Sequence, residues 1–175
     1  GFNKTTLLDY PGKIASTIFL GGCNFRCPFC QNSSLVLSPN KQPVISTEEV
    51  LSVLKKRQGI LEGVCITGGE PTSDKELFLL IDKIKELGYP VKLDTNGSHP
   101  WILKKLVNNQ MIDMVAMDIK SSKESYTKVS GCKNIDLTSI CESVEFLLSD
   151  VIPYEFRTTV VRELHDKSDF ESIGK

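Results

Sequence analysis

Three of the six cysteines fall within eight residues, in the run Cys23-Asn24-Phe25-Arg26-Cys27-Pro28-Phe29-Cys30. Thiolates are soft donors, and three of them on one short loop suit an iron–sulfur cluster, zinc or copper(I). Structural zinc is normally closed by four ligands, commonly as two separated pairs. No second pair exists here: Cys65, Cys132 and Cys141 are scattered, and His99 and His165 stand alone. Three protein ligands leave one coordination position open, as a catalytic zinc site does for its substrate. The spacing therefore favours a cluster with an open position, ahead of structural zinc or of thiols without metal.

Other polar residues stand just after apolar runs. Gly68-Gly69-Glu70-Pro71 follows Val64 to Thr67, Asp94-Thr95-Asn96-Gly97 follows Val91 to Leu93, and Asp118 and Lys120 follow Met114 to Met117. Taken alone, a Gly-Gly pair before a helix is a turn, and an Asp ending a strand is a cap or loop former. Arg157 fits a solvated or ion-paired arginine as well as a ligand contact. The two histidines and the serines form no nucleophile–base set, and His165 has no assigned role.

Positioning these residues takes alternating strands and helices. Strands are expected at Ile14 to Leu20, Val64 to Thr67, Val91 to Asp94, Met114 to Met117 and Tyr154 to Val161. Between them lie amphipathic stripes: Val50, Leu51 and Leu54, then Leu77, Leu80, Ile81, Ile84 and Leu87 ended by Gly88. A third helix is expected around Trp101 to Val107, a fourth on Leu137, Ile140, Cys141, Val144 and Leu148, and another from Asp166. Ser46 with Glu49, and Ser73 with Glu76, have the spacing of capping boxes. Ser121 to Asn134 reads as a loop.

Such alternation implies βαβ units and a parallel sheet, whose strand-end loops share one ligand-binding face. A closed eight-unit barrel takes roughly 250 residues, and the chain has 175. The expectation is an α/β fold, a partial, open (β/α)6-type TIM barrel lacking its last unit, forming a single domain over residues 1–175. Hydrophobic residues at 40% supply a core, and a net charge of −1 gives no electrostatic reason for nucleic-acid or anionic-membrane binding. No apolar run approaches the roughly 20 residues of a membrane span. Ile14 to Cys23 imitates a lipoprotein signal, but Asp9, Pro11 and Gly12 precede it and the run is short. A cytoplasmic protein is expected.

Cys-x-x-x-Cys-x-x-Cys with Phe29 before its last cysteine resembles the signature of radical S-adenosylmethionine enzymes. The resemblance implies that Cys23, Cys27 and Cys30 hold three irons of a 4Fe–4S cluster. S-adenosylmethionine would chelate the fourth iron and be reductively cleaved to methionine and a 5′-deoxyadenosyl radical. It further implies that Phe29 packs near the adenine and that Gly68, Gly69 and Glu70 receive the methionine amino group.

Asp94-Thr95-Asn96-Gly97 and Asp118-Ile119-Lys120 resemble segments of glycyl-radical-enzyme activases. By that resemblance Asp94, Thr95, Asp118 and the Ala116 carbonyl would hold a monovalent cation, Lys120 would face the cofactor carboxylate, and Asn96 and Arg157 would contact the cofactor. Tyr126 and Gly131 continue the pattern as structural positions. Lys4 to Lys13 resembles the opening of activating proteins for anaerobic ribonucleoside-triphosphate reductase. Gln31 departs from the family's usual His, and no cysteine lies between Cys30 and Cys65 to build a further cluster.

The implied function is installation of a glycyl radical on a partner reductase, with an electron from a flavodoxin- or ferredoxin-type donor. Alternatives are a pyruvate formate-lyase-type partner, a peptide or a small molecule as substrate, and a noncatalytic zinc-binding interaction domain.

Overall fold

In a computed structural model that describes residues 1–174, six strands form one open sheet in the order of the chain. β1 (Phe2–Thr6) runs antiparallel to β2 (Ala15–Leu20). Then β3 (Gly63–Gly68), β4 (Val91–Thr95), β5 (Met114–Asp118) and β6 (Tyr154–Arg157) each pair in parallel with the strand before. This is the expected open partial barrel. The sixth strand of the sheet is the antiparallel β1, a short and mostly exposed segment whose residues carry no apolar run to mark it.

Helices connect the parallel strands: α1 (Ser33–Leu37), α2 (Thr47–Lys56), α3 (Leu77–Glu86), α4 (Pro100–Asn108), α5 (Tyr126–Ser130) and α6 (Leu137–Leu148), with α7 (Lys167–Ile173) after β6. Successive side chains of a strand face opposite sides, and here the two faces differ in chemistry. Ile18, Val64, Ile66, Val91, Leu93, Val115 and Met117 face the helices and are buried with Leu54, Ile81, Ile84, Leu103, Leu106 and Leu147. The register places Thr17 beside Cys65, Cys65 beside Lys92, Asp94 beside Ala116, Ala116 beside Glu155 and Asp118 beside Arg157 on the other face. The concave wall is polar, and the core lies behind it.

Several local expectations shift for tertiary reasons. At α2 the Ser46 hydroxyl accepts from Glu49 N–H at 3.1 Å, giving half a capping box. Ser73 caps nothing: Pro71–Ser73 is a 3-10 turn, and α3 starts only at Leu77 after Asp74 accepts from Glu76 N–H at 2.8 Å. The last strand stops at Arg157, where its one partner among the described residues, β5, ends opposite it at Asp118. On α6 the buried face holds Ile140, Ser143 and Leu147, since the Ser143 hydroxyl donates to the Gly97 carbonyl at 2.7 Å. The stretch expected as a loop after Ser121 contains α5, ended by Gly131 in the left-handed conformation.

Candidate functional site

The loops at the C-terminal ends of β2 to β6 converge on one cleft of about 470 Å³. Cys23, Cys27, Phe29 and Cys30 enter from the loop after β2, Gly68 to Glu70 from β3, and Asp94 to Asn96 from β4. Asp118 and Lys120 come from β5 and Arg157 from β6. Of the sequence candidates only Ala116 lies off this lining, buried within β5.

The cysteine loop is held by contacts the spacing did not announce. Arg26 N–H donates to the Ser130 carbonyl at 2.9 Å, and its guanidinium caps the Cys23 and Phe25 carbonyls. A Cβ on Gly131 would stand 2.1 Å from the Arg26 carbonyl oxygen. Phe25 is buried edge-on against Tyr126, with ring centroids 6.5 Å apart. Tyr126 and Gly131 thus support this loop from beneath. The Cys132 thiol donates to the Asn24 carbonyl at 3.1 Å, so a cysteine distant in sequence joins the same loop. Burial pushes the Cys23 thiol up to about 11, and burial also raises Cys27. Among the described residues no three metal-ligating side chains stand close enough to hold a single ion.

Gly68 and Gly69 are required by backbone proximity. Gly69 N–H donates to the Leu20 carbonyl and Glu70 N–H to the Gly22 carbonyl, at 2.9 and 2.8 Å. A Cβ on Gly69 would meet the Gly22 oxygen at 1.7 Å, and Gly68 has φ of +119°. The segment is therefore an extension of β3 laid against the start of the cysteine loop, rather than the simple turn that a Gly-Gly pair suggests.

Glu70 braces the site. One carboxylate oxygen accepts from Thr72 N–H (3.0 Å), the Thr72 hydroxyl and the Thr95 hydroxyl (2.8 Å), and the other from Asn96 N–H at 2.7 Å. Burial pushes its pKa up against the pull of these donors. With the Thr72 hydrogen given to Glu70, the His99 ring contact at 2.9 Å assigns the proton to Nδ1 of His99. Asn96 in turn donates to the Asn24 side-chain oxygen at 2.9 Å, tying the β4 loop to the cysteine loop.

Asp94 and Asp118 are enclosed by cations. Asp94 pairs with Lys92 at 2.6 Å and with Arg157 at 3.2 Å, while Asp118 pairs with Arg157 at 3.2 Å and Lys120 at 2.9 Å. Burial opposes the charges on Lys120 and Arg157, but these carboxylates outweigh it and raise both pKa values. The expected cation ligands Asp94, Thr95 and Asp118 border the same cleft, but their side chains are already partnered within the chain. Thr95 turns its hydroxyl away to Glu70, and Arg157 fills the gap between the two carboxylates.

Sequence reading missed Lys92, Glu155, His165 and Asp169. Lys92 is 1% exposed and also pairs with Glu155 at 3.5 Å; a lysine inside an alternating strand was the available signal. The His165 ring accepts from Val161 N–H at 3.1 Å and gives its Nε2 hydrogen to the Lys120 carbonyl at 2.8 Å. Asp169 accepts from the Ser121 and Ser122 hydroxyls, the latter first among the causes that pull its pKa down to about 2. The C-terminal segment thereby fixes the loop carrying Lys120.

A profile described as the radical SAM superfamily matches residues 17–171, which include the cysteine loop, most of β2 and all of β3 to β6. The chain belongs to the radical SAM superfamily. A Methanocaldococcus jannaschii protein provisionally named a glycyl-radical enzyme activating enzyme is 33% identical, the match covering all of this chain and 73% of that protein. A Thermococcus kodakarensis protein named probable GTP 3′,8-cyclase is 28% identical over 86% of this chain and 48% of its own. Among solved structures, anSMEcpe with bound AdoMet superimposes with a TM-score of 0.68 at 20% identity, covering 90% of this chain and 47% of that one. SuiB of Streptococcus suis bound to its precursor peptide gives 0.66 at 15%, covering 90% and 35%. These structures share the fold. This radical SAM chain spans about half the length or less of the two solved structures, and no helix among its described residues is long and apolar enough to cross a membrane.

Proposed function

We propose that this radical SAM enzyme is an activase that binds a 4Fe–4S cluster and S-adenosylmethionine and installs a glycyl radical on a partner enzyme. The partner suggested by the N-terminal resemblance is an anaerobic ribonucleotide reductase. The observation that carries the reading is the arrangement of one cleft: three cysteines on one wall, close-packed glycine backbone beside them, and paired charges opposite. The M. jannaschii relative supports the activase assignment by its name and its 33% identity.

The residues fit the cofactors. Cys23, Cys27 and Cys30 border a space rather than a point, as a polynuclear cluster asks, and their loop is anchored by backbone and arginine contacts. When bound, the cluster supplies the low-potential electron that breaks a sulfonium carbon–sulfur bond of S-adenosylmethionine. Lys120 and Arg157 present positive charge for the methionine carboxylate, and Phe29 offers an apolar face for the adenine. The backbone of Gly68 and Gly69, on the same cleft, would receive the methionine end. Glu70 would hold that backbone in place, both of its oxygens accepting from protein donors. A flavodoxin- or ferredoxin-type protein is the fitting electron donor.

Anaerobic reconstitution with iron and sulfide should give a brown protein with about four irons per chain. With dithionite it should release 5′-deoxyadenosine from S-adenosylmethionine. Incubation with the reductase should then produce a glycyl-radical EPR signal and, on exposure to oxygen, cleavage of the partner at that glycine. One bound zinc and no 5′-deoxyadenosine would instead identify an interaction domain. Cofactor cleavage without any partner radical would transfer the reading to a peptide or small-molecule substrate.

A further inference from the structure

The two carboxylates on the concave wall have four oxygens, and each has a cationic partner within the chain. Lys92 Nζ stands 2.6 Å from Asp94 Oδ1, and Arg157 Nη2 stands 3.2 Å from Asp94 Oδ2. Arg157 Nε stands 3.2 Å from Asp118 Oδ1, and Lys120 Nζ stands 2.9 Å from Asp118 Oδ2. Glu155 adds a negative charge 3.5 Å from Lys92 and 3.9 Å from Arg157, so three cations face three carboxylates. Thr95 is withdrawn from this group, its hydroxyl donating to Glu70 and accepting from Gly97 N–H at 3.1 Å.

We propose that Arg157, bridging Asp94 and Asp118, with Lys92 and Lys120 at the outer oxygens, supplies the positive charge for which the resemblance invokes a monovalent metal ion, so that this cleft takes no such ion. A guanidinium suits the position because its planar, forked donors reach two acceptors at once and it stays charged at any working pH. A metal ion entering between the carboxylates would have to displace Arg157 and would stand beside two lysines. Hard cations need several oxygen donors free to converge, and here those oxygens are engaged. Arg157 and Lys120, both on the cleft lining, keep further N–H donors for an anionic group of the ligand. That the ligand is S-adenosylmethionine rests on the function proposed above; the exclusion of the ion does not.

Two measurements on the full chain in tetramethylammonium buffer decide the point. Thallium(I) NMR titration of the protein as purified should show no saturable, potassium-displaceable binding. The reconstituted enzyme should form 5′-deoxyadenosine at the same rate with potassium, with sodium or with neither. Arg157→Gln frees one oxygen on each carboxylate and should create saturable thallium binding, whereas Arg157→Lys should not. Saturable thallium binding by the wild-type chain, or its stimulation by potassium by about fivefold or more, would overturn the proposal. A folded Arg157→Gln variant that binds no thallium would overturn the assignment to Arg157. If no buffer yields 5′-deoxyadenosine, the proposed function fails while the thallium titration still decides the ion question.

Discussion

Glu70 concentrates the site's polar architecture in one side chain. It is 2% exposed, and its two oxygens join the end of β3 to the start of the β4 loop through Thr72, Thr95 and Asn96. Replacing it with Gln keeps the shape but turns an acceptor into a donor that faces donors. An unsatisfied buried polar group costs about 1–3 kcal/mol, so the urea midpoint of Glu70→Gln should fall accordingly, with S-adenosylmethionine affinity falling too. Asp169 gives a pH dependence of definite sign. Its folded pKa is depressed to about 2 by the Ser122 hydroxyl and its neighbours, below the ordinary value of 3.8. It therefore adds stability above about pH 4 that is lost as pH falls towards 2. An acid titration followed by circular dichroism should show a shallower slope over that window in Asp169→Asn than in wild type.

At the scale of elements, the cysteine loop is positioned from three directions: the β3 extension, the β4 loop through Asn96, and the end of α5 through Ser130 and Gly131. Two of these contacts, at Gly69 and at Gly131, need a close backbone. Gly69→Ala would drive a Cβ to 1.7 Å from the Gly22 carbonyl oxygen, a backbone atom that cannot swing aside. Overpacking of this kind costs about 1–3 kcal/mol and occasionally more. The variant should unfold at lower urea and, after reconstitution, hold fewer irons per chain. Helix boundaries followed the same logic. α3 starts late because the preceding residues serve the Glu70 turn, and α6 buries Ser143 because that hydroxyl reaches the Gly97 carbonyl.

At the scale of the molecule, core and site occupy opposite faces of one sheet. Apolar side chains of β2 to β5 meet the helices, while charged and polar ones line the hollow. Zinc fingers unfold without their metal because the metal replaces a core; this chain has a core of its own. Cys27→Ser, or wild type stripped with a chelator, should therefore keep its far-UV circular dichroism and a cooperative thermal transition while losing its iron and its cofactor cleavage. The sequence by itself determined the cysteine spacing, the alternation of strand and helix, and the placing of polar residues after strands, because periodicity and spacing are local properties of the chain. It left β1 unmarked, since an exposed antiparallel edge of five residues has no apolar signature. Only the tertiary structure decided which groups are already partnered. Glu70 turned out to be a brace, Arg157 to lie between Asp94 and Asp118, Lys92 to be buried beneath them, and His165 to hold Lys120. Each of those pairings joins segments that the sheet brings into register, and no local pattern encodes a distance across strands.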